Sequence, residues 1–126
     1  MAPWQHRPKR KMSGGKLHTS CKKRKHELGR PAIETQLGNR KLKVQRVLGG
    51  NIKLKLFKDE KANVIDPKTN KAELLEITHV VENKASLDLH RRAIITKGTI
   101  IETPKGNARV TSRPGQCGII NAVLIQ

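Results

Sequence analysis

"KLKVQRVLGGNIKLKLFK", residues 41–58, alternates apolar and cationic side chains on both sides of the sequence Gly-Gly-Asn at 49–51. An alternation with a period of two predicts β-strands, and Gly-Gly-Asn predicts a turn that joins them. The aliphatic side chains share one face, which holds Leu42, Val44, Ile52, Leu54 and Leu56. The opposite, basic face holds Lys41, Lys43, Lys53 and Lys55. The stretch therefore predicts a hairpin with an aliphatic face to bury and a basic face to expose.

Six short apolar stretches, each bounded by Gly, Pro or Asn, follow the hairpin. They are ANVID (62–66), ELLEITHVV (73–81), AIITKG (93–98), TIIET (99–103), ARVT (108–111) and GIINAVLI (118–125). Strands at this spacing predict an all-β domain, either a small barrel or a sandwich. We expect a small antiparallel β-barrel-like domain over residues 31–126. The segment NKASLDLHRR, residues 83–92, could form a helical turn or a loop, and we favour the loop.

Residues 1–30 contain almost no apolar side chains that could form a core. They lack a sustained period of 2 or 3.6, and the pair Gly14–Gly15 disfavours a helix. We therefore predict a basic, intrinsically disordered N-terminal arm over residues 1–30, which becomes ordered when it binds its partner. No apolar run is long enough for a signal peptide or a membrane span, so we expect an intracellular protein without a membrane partner.

The positive charge is concentrated in the first half of the chain. Residues 1–58 hold 17 Lys or Arg against two Glu, a net charge of +15, whereas residues 59–126 hold 10 against eight acidic residues, a net charge of +2. Such asymmetry indicates a polyanionic partner, because an unpaired cationic stretch repels itself until it displaces counterions from phosphates. The first half is therefore the candidate nucleic-acid-binding half.

The aromatic content excludes one class of nucleic-acid recognition. Trp4 and Phe57 are the only aromatic residues, and the chain has no Tyr. Proteins that grip single strands stack bases on exposed aromatic rings, and this chain has too few rings for that. Contacts with phosphates, 2′-hydroxyls and helical shape remain, which favours a folded, largely double-helical RNA or a DNA duplex.

The stretch HTSCKKRKHELGR, residues 18–30, could be a metal site or a phosphate-binding segment. His18, Cys21 and His26, with Cys117 as a fourth ligand, do not have the spacing of paired zinc motifs. Four consecutive cations at 22–25 would also repel a dication. We therefore predict no metal and no cofactor, a phosphate-binding role for the stretch, and free thiols rather than a disulfide.

No motif of catalysis appears in the sequence. SGGKL at 13–17 lacks the first glycine and the hydroxyl residue of a phosphate-binding loop, and no nucleophile elbow or dinucleotide fingerprint occurs. Cys117 could act as a nucleophile with His79 or His90 as its base, although nothing in the sequence brings these residues together. We predict that the protein is not an enzyme and has no small-molecule substrate.

ARVTSRPGQCG, residues 108–118, is a candidate binding turn. Pro114 restricts Arg113 to an extended conformation, and Gly115 would permit a sharp reversal. The predicted turn could hold Arg113 against a phosphate, or it could simply connect two core strands.

Seven blocks together carry a family resemblance. In order they are WQHRPKRKMSGGKL, LGRPAIET, GGNIKLK, ANVIDPKTNKA, VVEN, RRAIITKGTIIET and ARVTSRPGQCGIINAVLI, and they cover nearly the whole chain. The chain resembles the archaeal and eukaryotic family of small-subunit ribosomal protein eight, e type. It lacks the long insertion of the eukaryotic members and is therefore similar to an archaeal one. Ala93 stands where the family more usually has Asn, and Cys117 where it more usually has Asp.

The resemblance implies a structural constituent of the small ribosomal subunit in the cytoplasm, which binds folded ribosomal RNA and neighbouring ribosomal proteins and supports translation. It implies RNA contacts for Arg7, Lys9, Arg10, Lys11, Lys16, Arg30, Arg91, Arg92, Lys97, Arg109 and Arg113. Charge and strand pattern add Lys22, Lys23, Arg24, Lys25, Arg40, Lys41, Lys43, Arg46, Lys53 and Lys55. Two alternatives are a DNA-compacting chromatin protein and a zinc-dependent RNA-processing module.

Overall fold

The computed structural model describes residues 3–125, and the chain divides into two compact units, Met1–Ala32 and Ile33–Gln126. Within the described range no helix is both long enough and apolar enough to cross a membrane. Nearly all of the regular structure lies in the second unit and consists of β-strands, as the sequence predicts.

Backbone hydrogen bonds connect residues throughout the first unit. Lys9–Leu17 forms a small hairpin in which the amide of Leu17 donates to the carbonyl of Lys9 at 2.9 Å. Gly14 has a φ of +85° at its turn. A 3-10 helix, Lys25–Glu27, follows. The prediction of a disordered arm is therefore not confirmed, since the described residues of the arm have a defined backbone conformation.

The smaller sheet of the second unit contains the predicted hairpin. Its strands are β1 (Gln36–Leu37), β2 (Lys41–Arg46) and β3 (Ile52–Asp59), in the order β1-β3-β2. β2 is antiparallel to β3, with Lys43 opposite Lys55 and Val44 opposite Leu54. The chain reverses at Gly49 and Gly50, whose φ angles are +74° and +75°. The prediction of a hairpin in this stretch is confirmed.

The larger sheet contains the six remaining strands. They are β4 (Lys61–Asp66), β5 (Lys71–Glu76), β6 (His79–Glu82), β7 (Ile100–Thr103), β8 (Gly106–Val110) and β9 (Asn121–Leu124). Their order in the sheet is β5-β4-β9-β8-β7-β6. Five of the six apolar stretches that follow the hairpin thus contain strands, and the stretch 73–81 contains two.

The predicted antiparallel barrel is wrong in two respects. The β1–β3 and β4–β9 pairs are parallel, and within the described residues no ladder joins the outer strands β5 and β6 to close a barrel. The chain passes from β5 to β6 through Ile77 and Thr78 alone. The amide of Ile77 donates to the carbonyl of Glu60 and that of Thr78 to the carbonyl of Glu102, so each extends a ladder with another strand. A period of two does not distinguish parallel from antiparallel pairing.

The core of the second unit is almost purely aliphatic. It contains Leu56, Ala62, Val64, Ile77, Val80, Ile95, Ile101, Ala108, Val110, Ile120 and Ala122. Buried polar side chains are hydrogen-bonded: the hydroxyl of Thr35 donates to the carbonyl of Leu56, and the amide of Asn83 to the carbonyl of Ile94, both at 2.8 Å. Because an unpaired buried polar group is costly, the first bond fixes the segment around Thr35 against β3, and the second ties the end of β6 to the segment that contains Ile94.

Two local predictions between residues 83 and 98 are wrong. Leu87–Arg91 forms the short helix α1, because the hydroxyl of Ser86 accepts a hydrogen bond from the amide of Asp88 at 3.2 Å and caps its first turn. The stretch 93–98 is not a strand. Ala93 has a φ of +50°, and the consecutive residues Ile94 and Ile95 are both buried, whereas neighbouring residues of a strand face opposite sides.

A second short helix, α2 (Pro114–Cys117), replaces the turn predicted after Arg113. Arg113 is extended, as predicted, but the residue that reverses the chain is Gly118, with a φ of +77°, and not Gly115. A Cβ atom at Gly118 would lie 2.7 Å from Cβ of Leu54. The position therefore requires glycine for its backbone angle and for the close approach of β3.

We expect Gly118→Ala to destabilise the protein more than Gly50→Ala. Both glycines have left-handed φ angles, which cost alanine about 1–2 kcal/mol, but nothing lies within 4 Å of a Cβ at Gly50. The contact with Leu54 adds about 1–3 kcal/mol of overpacking at Gly118. Urea denaturation measures the two free energies of unfolding, and equal losses would contradict the close approach.

We expect Ala93→Asn to stabilise the protein by about 0.5–1 kcal/mol, because Asn tolerates the left-handed conformation better than Ala. The matched control is Asn70→Ala, since Asn70 has a φ of +53° and should lose a similar amount. Thermal and urea denaturation check both variants. If Ala93→Asn lowered the free energy of unfolding, the left-handed backbone angle at residue 93 would not be the source of instability that we infer.

Candidate nucleic-acid interface

The basic face of the hairpin places like charges directly opposite one another. Lys43 is the cross-strand partner of Lys55, and a β-bulge brings Lys58 opposite Lys41. Like charges at opposed positions destabilise a strand pair. Residues 41–58 contain no carboxylate that could compensate them. The hairpin therefore holds a local excess of positive charge that an external anion would relieve.

The other hairpin cations have different surroundings. The ammonium of Lys53 donates to Oε1 of Gln116 at 3.0 Å, so this side chain is oriented by α2. Nε of Arg40 lies 3.9 Å from Oδ2 of the buried Asp59. Arg46 is the cross-strand partner of Ile52 and thus lies on the aliphatic face, not on the basic face.

In the first unit the single carboxylate is engaged by imidazoles. Glu27 is the only acidic residue among residues 1–32, and its Oε1 lies 3.3 Å from Nδ1 of His6 and 3.8 Å from Nε2 of His26. The ammonium of Lys23 lies 5.1 Å from the centre of the Trp4 ring. Over residues 3–32 no Lys or Arg forms a salt bridge, so these cations remain available to anions.

The metal alternative receives no geometric support. Across the described residues, no group of three or more His, Cys, Asp or Glu side chains is arranged to hold a metal ion. Cys21 and Cys117 are exposed, and neither takes part in a disulfide within the described residues. No hydrogen bond in the described part of the chain joins Cys117 to His79 or His90.

The two arginines at the end of α1 differ in whether carboxylates of this chain already bind the guanidinium group. The guanidinium of Arg92 donates to both carboxylate oxygens of Glu34 and to Oδ2 of Asp88. The hydrogen bond to Glu34, followed by that to Asp88, raises the pKa of Arg92 above its ordinary value. Arg91 is exposed and has no salt bridge within residues 3–125. Of the pair, Arg91 is the better candidate for a phosphate contact.

Lys97 and Arg109 line one cleft, although they are twelve residues apart. The cleft has a volume of about 560 Å³, and Val110, Val123 and Ile125 form part of its wall. Arg109 is held there because it is the cross-strand partner of Val123 in the β8–β9 ladder. Arg113, at the start of α2, is exposed. These three cations thus stand on the surface of the second unit.

Nearly all of the cations predicted to bind RNA are exposed. Of the 21 residues predicted to bind RNA, 20 are exposed and Lys55 is half-buried. The structure brings Lys43 to Lys55 and Lys97 to Arg109. Sequence reasoning missed Lys58, because the β-bulge interrupts the alternation at Phe57 and no sequence signal marks the shift.

Comparisons with known proteins identify the family of this chain. Residues 4–125 match the model of the family Ribosomal protein S8e. A protein of Methanococcus aeolicus named small ribosomal subunit protein eS8 is 52% identical over 126 residues, with 99% of this chain and 98% of the relative covered. Proteins of the same name are 47% identical in Methanobrevibacter smithii (99% and 100% covered) and 46% in Methanocorpusculum labreanum (98% of each covered). These archaeal sources confirm the predicted archaeal type, and the chain belongs to the ribosomal protein S8e family.

Proposed function

We propose that this chain is a structural constituent of the small ribosomal subunit, which binds folded ribosomal RNA through phosphate contacts and acts in the cytoplasm as part of the ribosome. Relatives about half identical over the whole chain are named small ribosomal subunit proteins, which supports the proposal. Membership of a ribosomal protein family also means that the chain is not an enzyme.

The uncompensated lysine pair on the basic face is the single observation that carries the RNA contact. Lys43 faces Lys55 across the ladder, and residues 41–58 contain no acidic residue. A row of phosphates supplies closely spaced anions at several positions at once. Binding reduces the repulsion between the two lysines and releases counterions from the RNA. Both effects favour formation of the complex.

The first unit contributes a second group of cations. Residues 1–32 carry ten Lys or Arg against Glu27, and Glu27 is engaged by His6 and His26. We propose that residues 1–30 act as an RNA-binding arm and that residues 31–126 form the β-rich domain that carries the hairpin. In this mechanism the arm lies along phosphates that would otherwise repel one another.

A double variant of the basic face tests the proposal. We expect Lys43→Ala with Lys55→Ala to weaken binding to a small-subunit ribosomal RNA fragment. The slope of log K against log salt concentration should become smaller by about 2, since two phosphate contacts are lost. Filter binding at several salt concentrations measures the slope.

The matched control is Lys68→Ala with Lys84→Ala, which removes the same charge from exposed positions outside the predicted set. If both double variants change the slope equally, net charge rather than the basic face determines the affinity. Urea denaturation should show no loss in the free energy of unfolding for either double variant. Lys43→Ala with Lys55→Ala removes a repulsion, and Lys68→Ala with Lys84→Ala changes only exposed side chains.

A further inference from the structure

The aliphatic face of the hairpin is buried at one end only. Along β3 the exposed fraction rises from 0% at Leu56 to 41% at Leu54 and 63% at Ile52. In the turn, Leu48 is 91% exposed, and Val44 on β2 is 60% exposed. The prediction that the hairpin buries this face is therefore wrong for its outer half. We call Val44, Leu48 and Ile52 the aliphatic tip.

The segment around Gly118 packs on the inner half of the aliphatic face, near Leu54 and Leu42. Gly118 approaches this face so closely that a Cβ atom there would lie 2.7 Å from Cβ of Leu54 and 3.2 Å from Cδ1 of Leu42. α2, which precedes Gly118, also reaches β3 through the hydrogen bond of Gln116 with Lys53. From Leu54 toward the turn the exposed fraction increases, to 63% at Ile52 and 91% at Leu48.

The exposed aliphatic surface at the turn end of the hairpin indicates a site that a partner covers. Isolated hairpins are marginally stable in water, and contiguous exposed aliphatic side chains mark interaction sites. RNA is a poor occupant, because aliphatic side chains offer no ring for base stacking and phosphates lose hydration against them. A protein surface with aliphatic side chains of its own is the better match.

Charge complementarity further defines this partner. The cations of the hairpin are Lys41, Lys43, Arg46, Lys53, Lys55 and Lys58, and residues 41–58 contain no acid. Arg46 lies on the same face as the aliphatic tip, opposite Ile52. A second copy of this chain, with a net charge of +17, would be repelled, and so would its own residues 1–32 with ten cations against Glu27.

We propose that the aliphatic tip docks on a neighbouring protein of the small subunit, at an aliphatic patch bordered by carboxylates, one of which pairs with Arg46. The inference rests on the proposed ribosomal function and names a second partner for the same hairpin. The hairpin is then two-sided: the basic face contacts phosphates while the aliphatic tip is covered by protein. Adjacent residues such as Lys43 and Val44 contact different classes of macromolecule, since side chains alternate along a strand.

Photo-crosslinking in assembled particles tests this arrangement. Val44, Leu48 or Lys43 is replaced singly by p-benzoylphenylalanine in the full chain. Each protein is incorporated into small subunits reconstituted from purified ribosomal RNA and total small-subunit proteins. After irradiation, mass spectrometry and primer extension identify protein and RNA crosslinks. Val44 and Leu48 are both exposed, so each can be replaced independently. Crosslinks to the same protein from both positions would show that neither result comes from a local disruption of the fold.

We expect crosslinks from Val44 and Leu48 to one other small-subunit protein, at a segment that contains aliphatic and acidic residues, and crosslinks from Lys43 to RNA. Crosslinks from both tip positions only to RNA, to residues 1–32 or to a second copy would overturn the inference, as would the absence of tip crosslinks in particles where Lys43 reaches RNA. Failure of Lys43 to reach RNA, or failure of the protein to enter particles, would instead contradict the proposed function.

Discussion

Repulsion between lysines on opposite strands of one hairpin is the constraint on which the rest of the account depends. Lys43 and Lys55 are paired by the β2–β3 register, which the alternation of the strands and the turn at Gly49–Gly50 impose together. Folding therefore concentrates charge that the unfolded chain would keep apart. The aliphatic core of the second unit stabilises the hairpin at its inner end, where Leu56 is fully buried. The surplus charge is left for a polyanion to neutralise.

The same alternation gives the hairpin two chemically different faces. Side chains on one side are cations without carboxylate neighbours, and those on the other side are aliphatic residues that α2 and Gly118 cover only near Leu54. A ribosomal subunit contains both RNA and protein, so a hairpin with a basic face and an aliphatic tip could contact RNA on one side and protein on the other. Under this proposal neither face is a defect of the isolated chain, because each has a partner of matching chemistry in the particle.

The sequence predicted the hairpin and five of the six later strand stretches, because a period of two with Gly and Asn turns is a local signal. It did not predict the sheet order or the parallel pairs, since pairing partners are chosen by tertiary packing. The capped helix after Ser86 and the left-handed Ala93 depend on single backbone angles and one side-chain bond. Charge identified the candidate cations, but only the structure distinguished Arg92, bound by Glu34, from the open Arg91.

The salt dependence of binding between the full chain and a folded small-subunit ribosomal RNA fragment tests the central claim most directly. If about eight cations contact phosphates, a plot of log K against log salt concentration should have a slope on the order of −6 to −7. Binding to duplex DNA at equal salt should be weaker, because a DNA duplex does not reproduce the shape of the folded RNA. A slope near −1, or a preference for DNA, would contradict recognition through the phosphates of folded ribosomal RNA.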